Sequence, residues 1–198
     1  DPKLGVQWHY ANDGSISSEF MTGADINVTD VWNNYTVGCR SVTVAVIDSG
    51  VDYEHEDIAD NYIGGKNFGT GGKVTPDDHG THVAGTIAAV NNNGIGISSI
   101  AGGDGSNPGV KIMSCQIFSG AYAGTVLEEV RAIKYAADNG AVILQCSWGY
   151  ISGAANPYEW TPQFRTDEEW EAYNVLERKA LDYFIHNAGS ANGVIEGG

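Results

Sequence analysis

The sequence predicts an α/β fold, a three-layer sandwich built on a mostly parallel sheet. Two observations carry that expectation. A continuous apolar, β-branched run stands at 42–47 (VTVAVI), as a strand covered on both faces requires, and largely apolar runs that read as further strands stand at 111–118 (KIMSCQIF) and 141–146 (AVILQC). Stretches long enough to be helical crossovers stand at 79–90, 125–139 and 167–187.

Taken in order, the first 25 residues are aromatic and polar without sustained periodicity and read as an extended entry arm. Residues 25–32 turn into a short helix, for which Thr29 offers a cap. The first strand runs directly into Asp48, Ser49 and Gly50, which mark its end. Residues 60–78 are glycine-rich and polar and read as a surface loop. Gly80, Ala84, Gly85, Ala88 and Ala89 suit a helix packed tightly inside a protein, stopped by the asparagines at 91–93 and Gly94. A second glycine-rich loop covers 101–109. Thr125 with Glu128 forms a capping box, and the helix it opens closes at Gly140. After the third strand, 150–166 mixes Tyr, Trp, Gly and Pro and reads as an irregular loop insertion. Thr166 with Glu169 opens a last amphipathic helix, which runs to about Asn187 with Gly189 as its stop. The acidic start at Asp167, Glu168 and Glu169 is solvent-facing charge that suits the helix dipole.

Composition narrows the function classes. The 198 residues are 42% hydrophobic and 18% charged, enough to bury a core, and the length fits one domain or two. Formal net charge is −15, from 25 acidic and 10 basic residues. Such a surface repels phosphate backbones and anionic lipid, which disfavours nucleic acid and membrane faces as partners. No stretch reaches the ~18 apolar residues of a membrane span. There is no signal peptide, and a start at Asp1 fits a processed or trimmed chain. Cys39, Cys115 and Cys146 lack metal-site spacing; the latter two lie in strand-like runs as small buried hydrophobes.

Three polar residues carry the candidate chemistry. Asp48 follows six apolar residues at the carboxyl end of a strand, where open α/β sheets place their ligands. It is either a structural turn aspartate or a carboxylate that must be paired. His79 opens a helix behind Asp77 and Asp78, and a buried carboxylate such as Asp48 would make it a general base by fixing its tautomer. His82 lies three residues on. The two histidines with nearby aspartates raise a zinc reading, but no glutamate stands between them as in the HExxH pattern. Followed by Val83 and Ala84, His82 reads instead as a packed core histidine.

Together, VAVIDSGVD at 44–52 and DHGTHVAGTIAA at 78–89 resemble the aspartate and histidine motifs of the subtilisin-like serine proteases. QCSWGY at 145–150 is similar to the family's strand and turn before the substrate cleft. GVQWHY and GADINVTDVW resemble its entry segment. The resemblance implies that Asp48 orients and stabilises the imidazolium, that His79 is base and then acid, and that Ser147, Trp148 and Gly149 form one cleft wall. That wall would pair with an extended polypeptide substrate as an added strand does. Trp148, Tyr150, Tyr158 and Trp160 either line a pocket there or pack an irregular loop. The resemblance also implies a structural calcium, held by Gln7, Asp57 and Asn92 with the carbonyls of Val90, Ile95 and Ile97, although the turn here has one residue more than the family pattern. It implies a secreted or extracytoplasmic location.

The family's oxyanion-hole asparagine motif and its later GTSMA-like serine motif do not occur in these residues. Residues 1–198 are therefore expected to be the amino-terminal portion of one catalytic domain. The complementary carboxyl-terminal fragment or chain, carrying Asn and Ser, is the expected partner, and the chain alone is expected to be inactive. The alternative is a non-catalytic interaction or metal-binding protein that keeps the protease scaffold.

Overall fold

The computed structural model of the chain describes residues 1–150 and 164–189. Four parallel strands, β1 (Thr43–Asp48), β2 (Tyr62–Asn67), β3 (Lys111–Gln116) and β4 (Ile143–Gln145), form one sheet in the order β2-β3-β1-β4. Among the described residues, five α-helices accompany it: α1 (Val28–Asn34), α2 (Asp78–Ala88), α3 (Val126–Asp138), α4 (Asp167–Tyr173) and α5 (Val175–Asn187).

The alternation of side chains along β1 makes the layers. Val44 and Val46 pack with Ile112 against Ala84 and Ala88 of α2. Ala45 and Ile47 pack with Met113 and Cys115 against Ala132, Ile133 and Ala136 of α3 and Phe184 of α5. A strand buried on both faces needs the continuous apolar run seen at 42–47. The small residues of α2 let that helix lie close to the sheet, where side chains pack at crystal-like density. By the same alternation, Asp48 shares its strand face with Val44 and Val46, the face that α2 covers.

Several expectations change. The segment 60–78 is not all loop, because Tyr62–Asn67 pairs with β3 from Tyr62↔Ile112 to Asn67↔Gln116. Its sequence, YIGGKN, lacks an apolar run because it is an edge strand with half-exposed faces, and Gly65 is needed where a Cβ would sit 2.2 Å from the Ser114 carbonyl oxygen. The first helix starts at Val28, with Asn27 in the left-handed region (φ 49°) at the N-cap position and no side-chain cap bond, so Thr29 lies inside the helix and does not cap it. The last helix is two, broken at Asn174, whose φ/ψ of −102°/44° departs from helical values. The entry arm folds in turns, with a short 3-10 helix at Leu4–Val6, and buries Tyr10 against the body. Thr125 and Glu128 form the full reciprocal capping box. Thr166 accepts from the Glu169 amide, but the Glu169 carboxylate turns to the Arg165 amide instead. The loop insertion at 150–166 lies largely outside the described residues, as do Tyr158 and Trp160.

Candidate active site

The end of β1 and the start of α2 are joined by a tight polar contact. Asp77 caps α2 by accepting from the His79 amide at 3.2 Å, and the Ser49 hydroxyl donates to the same carboxylate oxygen at 2.5 Å. Ser49 Oγ in turn accepts from the Gly80 amide at 3.0 Å. This approach requires glycine twice. Gly50 has φ +112°, and a Cβ at Gly80 would lie 2.3 Å from the Gly50 carbonyl oxygen. Gln116 completes the support. Its amide donates to the Ser49 carbonyl at 2.7 Å and accepts from Asn67 Nδ2 and the Thr75 amide, each at 2.8 Å.

On this frame the Asp48 and His79 side chains meet. His79 Nδ1 stands 2.7 Å from Asp48 Oδ1, which also accepts from the Ser49 amide at 2.6 Å. The Asp48 side chain is 1% exposed and the His79 side chain 60%. One partner is locked in the protein, and the other presents its Nε2 outward. Asp48 Oδ2 is buried without a hydrogen-bond partner among the described residues. The Asp48 hydrogen bond, and after it the Asp48 charge, raise the His79 pKa above its ordinary value of 6.5.

His82 is exposed, so the packed-core reading of it is overturned. Its ring looks out because Gly80, Ala84, Gly85 and Ala88 occupy the inward face of α2. Among the described residues, no group of three or more His, Cys, Asp or Glu side chains is gathered as metal ligands. Cys115 is fully buried, whereas Cys146 is only partly so, and burial pushes the Cys146 thiol up to about 12.

Ser147, Trp148 and Gly149 follow β4 on the same edge of the sheet. Trp148 Nε1 donates to the Ile47 carbonyl at 2.8 Å, and its ring meets Phe118 edge-on at 5.8 Å. The residues named for calcium are only partly assembled. Asp57, 2% exposed, accepts from Asn93 Nδ2 at 2.8 Å and the Ile97 amide at 3.0 Å. Gln7 bonds both backbone groups of Ser98 at 2.8 Å. Asn92 turns away and donates to the Asp104 carbonyl at 3.0 Å. The extra residue in the turn thus brings Asn93, not Asn92, to Asp57. Asp57 is buried against neutral donors alone, a carboxylate that a cation would suit.

The model of the subtilase family matches residues 40–194. The chain belongs to the subtilase family. Among relatives of this subtilase, kexin of Saccharomyces cerevisiae is 34% identical over 159 residues, covering 75% of the chain and 17% of kexin. Thermitase of Thermoactinomyces vulgaris is 36% identical over 145 residues, covering 72% of the chain and 49% of thermitase. The chain therefore spans half or less of these relatives. Among solved structures, the Aeromonas sobria serine protease, in complex with its chaperone, superposes with TM-score 0.62 at 29% identity. That match covers 80% of the chain and 27% of the protease.

Sequence reasoning singled out Asp48 and His79 on motif and spacing, and the structure brings their side chains together. It missed what holds them. The signal available for Gln116 was a polar residue inside an otherwise apolar run, which a covered strand tolerates only when the group is bonded.

Proposed function

We propose that the chain supplies the general base, its orienting carboxylate and one cleft wall of a serine endopeptidase that hydrolyses peptide bonds. The observation supporting this is the Asp48–His79 contact, in which a buried carboxylate fixes one ring nitrogen and leaves Nε2 open. Nδ1–H donates to Asp48, so Nε2 carries the lone pair that takes a proton from an attacking hydroxyl. The resulting imidazolium is stabilised by Asp48 and later returns the proton to the leaving amine.

The nucleophilic serine and oxyanion asparagine come from sequence beyond residues 1–198, in the same polypeptide or a second one. Ser49 is not the nucleophile on this reading, since its hydroxyl is engaged by Asp77 and Gly80. Among the described residues, Ser147–Tyr150 make no backbone hydrogen bonds to other segments, which suits a wall that pairs with an extended peptide. Calcium would be held at the turn by Asp57, Gln7, Asn93 and carbonyls among Val90, Ile95 and Ile97, and would serve to fix the entry arm to the body. A secreted or extracytoplasmic location is part of the same reading and is supported by the family alone. None of the described helices is long and apolar enough to cross a membrane.

The test combines intact mass under denaturing conditions, labelling by a serine-directed phosphonate, and peptide turnover. The 21.0 kDa chain alone should be neither labelled nor active. Activity should appear with the complementary segment and fall by about 10⁴-fold or more in His79→Ala, the scale of removing a triad member. Labelling and turnover by the 21.0 kDa species alone would refute the division of the site.

A further inference from the structure

Two buried glutamates have no part in the chemistry above. Glu129 of α3 and Glu177 of α5 are each 6% exposed. The Tyr150 hydroxyl donates to Glu177 Oε2 at 2.8 Å, and Asn174 Oδ1 stands 3.2 Å from the same hydroxyl. A phenol has one proton to give, and the shorter contact, to Glu177, takes it. Glu129 Oε1 and Asn174 Nδ2 are buried with no partner among the described residues. Glu129 lines a cavity of about 320 Å³ together with Phe118, Thr125, Trp148, Gly149 and Tyr150. Neither glutamate forms an ion pair among the described residues. Two largely buried carboxylates side by side are unfavourable, and packing alone would be served better by apolar residues.

The adjoining wall needs an external anchor. β4 ends at Gln145, and beyond it the chain is held by side chains. Trp148 is pinned to β1 through Ile47, Gln145 Nε2 bonds Ser147 Oγ at 3.1 Å, and Tyr150 reaches α5. Trp148 and Tyr150 thus fasten the segment on both sides of the exposed Gly149 while its backbone stays free.

We propose that Glu177, with Glu129 beside it, is a positioning residue that acts through the Tyr150 hydroxyl to hold Ser147–Tyr150 as the peptide-facing wall. The purpose of the wall rests on the protease reading; the tether does not. Burial, and after it Glu177, push the Glu129 carboxyl up to about 8. At neutral pH Glu129 therefore keeps its proton, and Glu177 Oε2 serves as the acceptor for the Tyr150 hydroxyl. Among the described residues, the other titratable groups facing the pair are Tyr150 and the Cys146 thiol, both held neutral by burial.

The experiment reads the Trp148 indole Nε1–H by NMR, first without ligand and then in a titration with acetyl-hexaalanyl amide. In the wild type the indole proton should exchange slowly. Tyr150→Phe and Glu177→Leu should speed that exchange at least tenfold and weaken the peptide at least fivefold. Glu177→Gln, which keeps an acceptor, should stay within about twofold of wild type on both readouts. Unchanged exchange in Tyr150→Phe, or loss in Glu177→Gln equal to that in Glu177→Leu, overturns the proposal. Should Glu177→Leu fail to fold, Tyr150→Phe, which deletes one hydroxyl, decides. If no variant of the tether alters exchange while the peptide still binds, the tether fails and the protease reading stands. If exchange responds as expected but wild type binds no peptide, the tether holds and the wall's assigned role fails.

Discussion

Asp48 and His79 form an asymmetric pair, one side chain nearly sealed and the other largely in water. The asymmetry sets a pH dependence that can be measured directly. On the proposed function His79 is the base and serves only when neutral; Asp48 holds its pKa above 6.5, so the activity of the chain joined by its complementary segment should rise with pH through a midpoint above that value. The sign is that of a cation stabilised by its neighbour: the Asp48 contact favours the protonated ring, and that favour is lost as pH rises through the folded pKa. In Asp48→Asn the His79 ring-proton titration followed by NMR should move down, and an unmoved midpoint would show that Asp48 is not the cause. Gly80 offers a second residue-scale prediction. Alanine there would place its Cβ 2.3 Å from the Gly50 carbonyl oxygen, so β1 and α2 must separate. Overpacking of this kind costs about 1–3 kcal/mol, and Gly80→Ala should lower the melting temperature and lengthen the Asp48–His79 contact in a crystal structure. Gly85→Ala is the control, since its added Cβ would meet only side-chain carbons at 3.5 Å and beyond.

At the scale of elements, the packing of α3 against α5 carries a titratable cost. Glu129 is pushed up to about 8 by burial and by Glu177, whereas the unfolded chain holds it near the ordinary 4.5. The folded form binds that proton more tightly, so the stabilisation is full below about pH 4.5 and is lost as pH rises through about 8. Stability attributable to this carboxyl should fall across that window by up to about 5 kcal/mol, taking ~1.4 kcal/mol for each unit between 4.5 and about 8. Urea unfolding of wild type and Glu129→Gln at several pH values tests it; equal slopes with pH in both would count against the assignment. The elements also show how legible the sequence was. α2 and α3 could be read almost to their ends, because each carries its own cap in Asp77 or Thr125 and a periodic face of small residues. β2 could not, because an edge strand with two glycines has no local signature, and only its pairing with β3 makes it a strand. The break at Asn174 was equally hidden, since the flanking residues continue a helical pattern and the kink sits beside the Tyr150–Glu177 contact.

For the whole molecule, the entry arm is a long-range tie. Asp1 accepts from the Asn92 and Gly94 amides and the Ser98 hydroxyl, while Gln7 brackets Ser98. If calcium occupies the turn at Asp57, it should tighten this tie. The melting temperature should then rise with added calcium and fall with a chelator, by an amount equivalent to about 2.7 kcal/mol at a hundredfold excess over Kd. Asp57→Asn should abolish the calcium response. A wild-type melting curve indifferent to both calcium and chelator would remove the ion from the account. At this scale the sequence by itself determined the layer order, the parallel strands β1, β3 and β4, and the expectation that Asp48 and His79 meet. Those features rest on local periodicity and on motifs whose residues are near neighbours along the chain. Only the tertiary structure decided that Ser49, Gln116 and Gly80 hold the pair in place, that Asn93 rather than Asn92 meets Asp57, and that two glutamates converge behind Tyr150. Each of those is a contact between residues tens of positions apart, and a hydrogen bond or a close approach of that kind leaves no periodic trace in the chain that makes it.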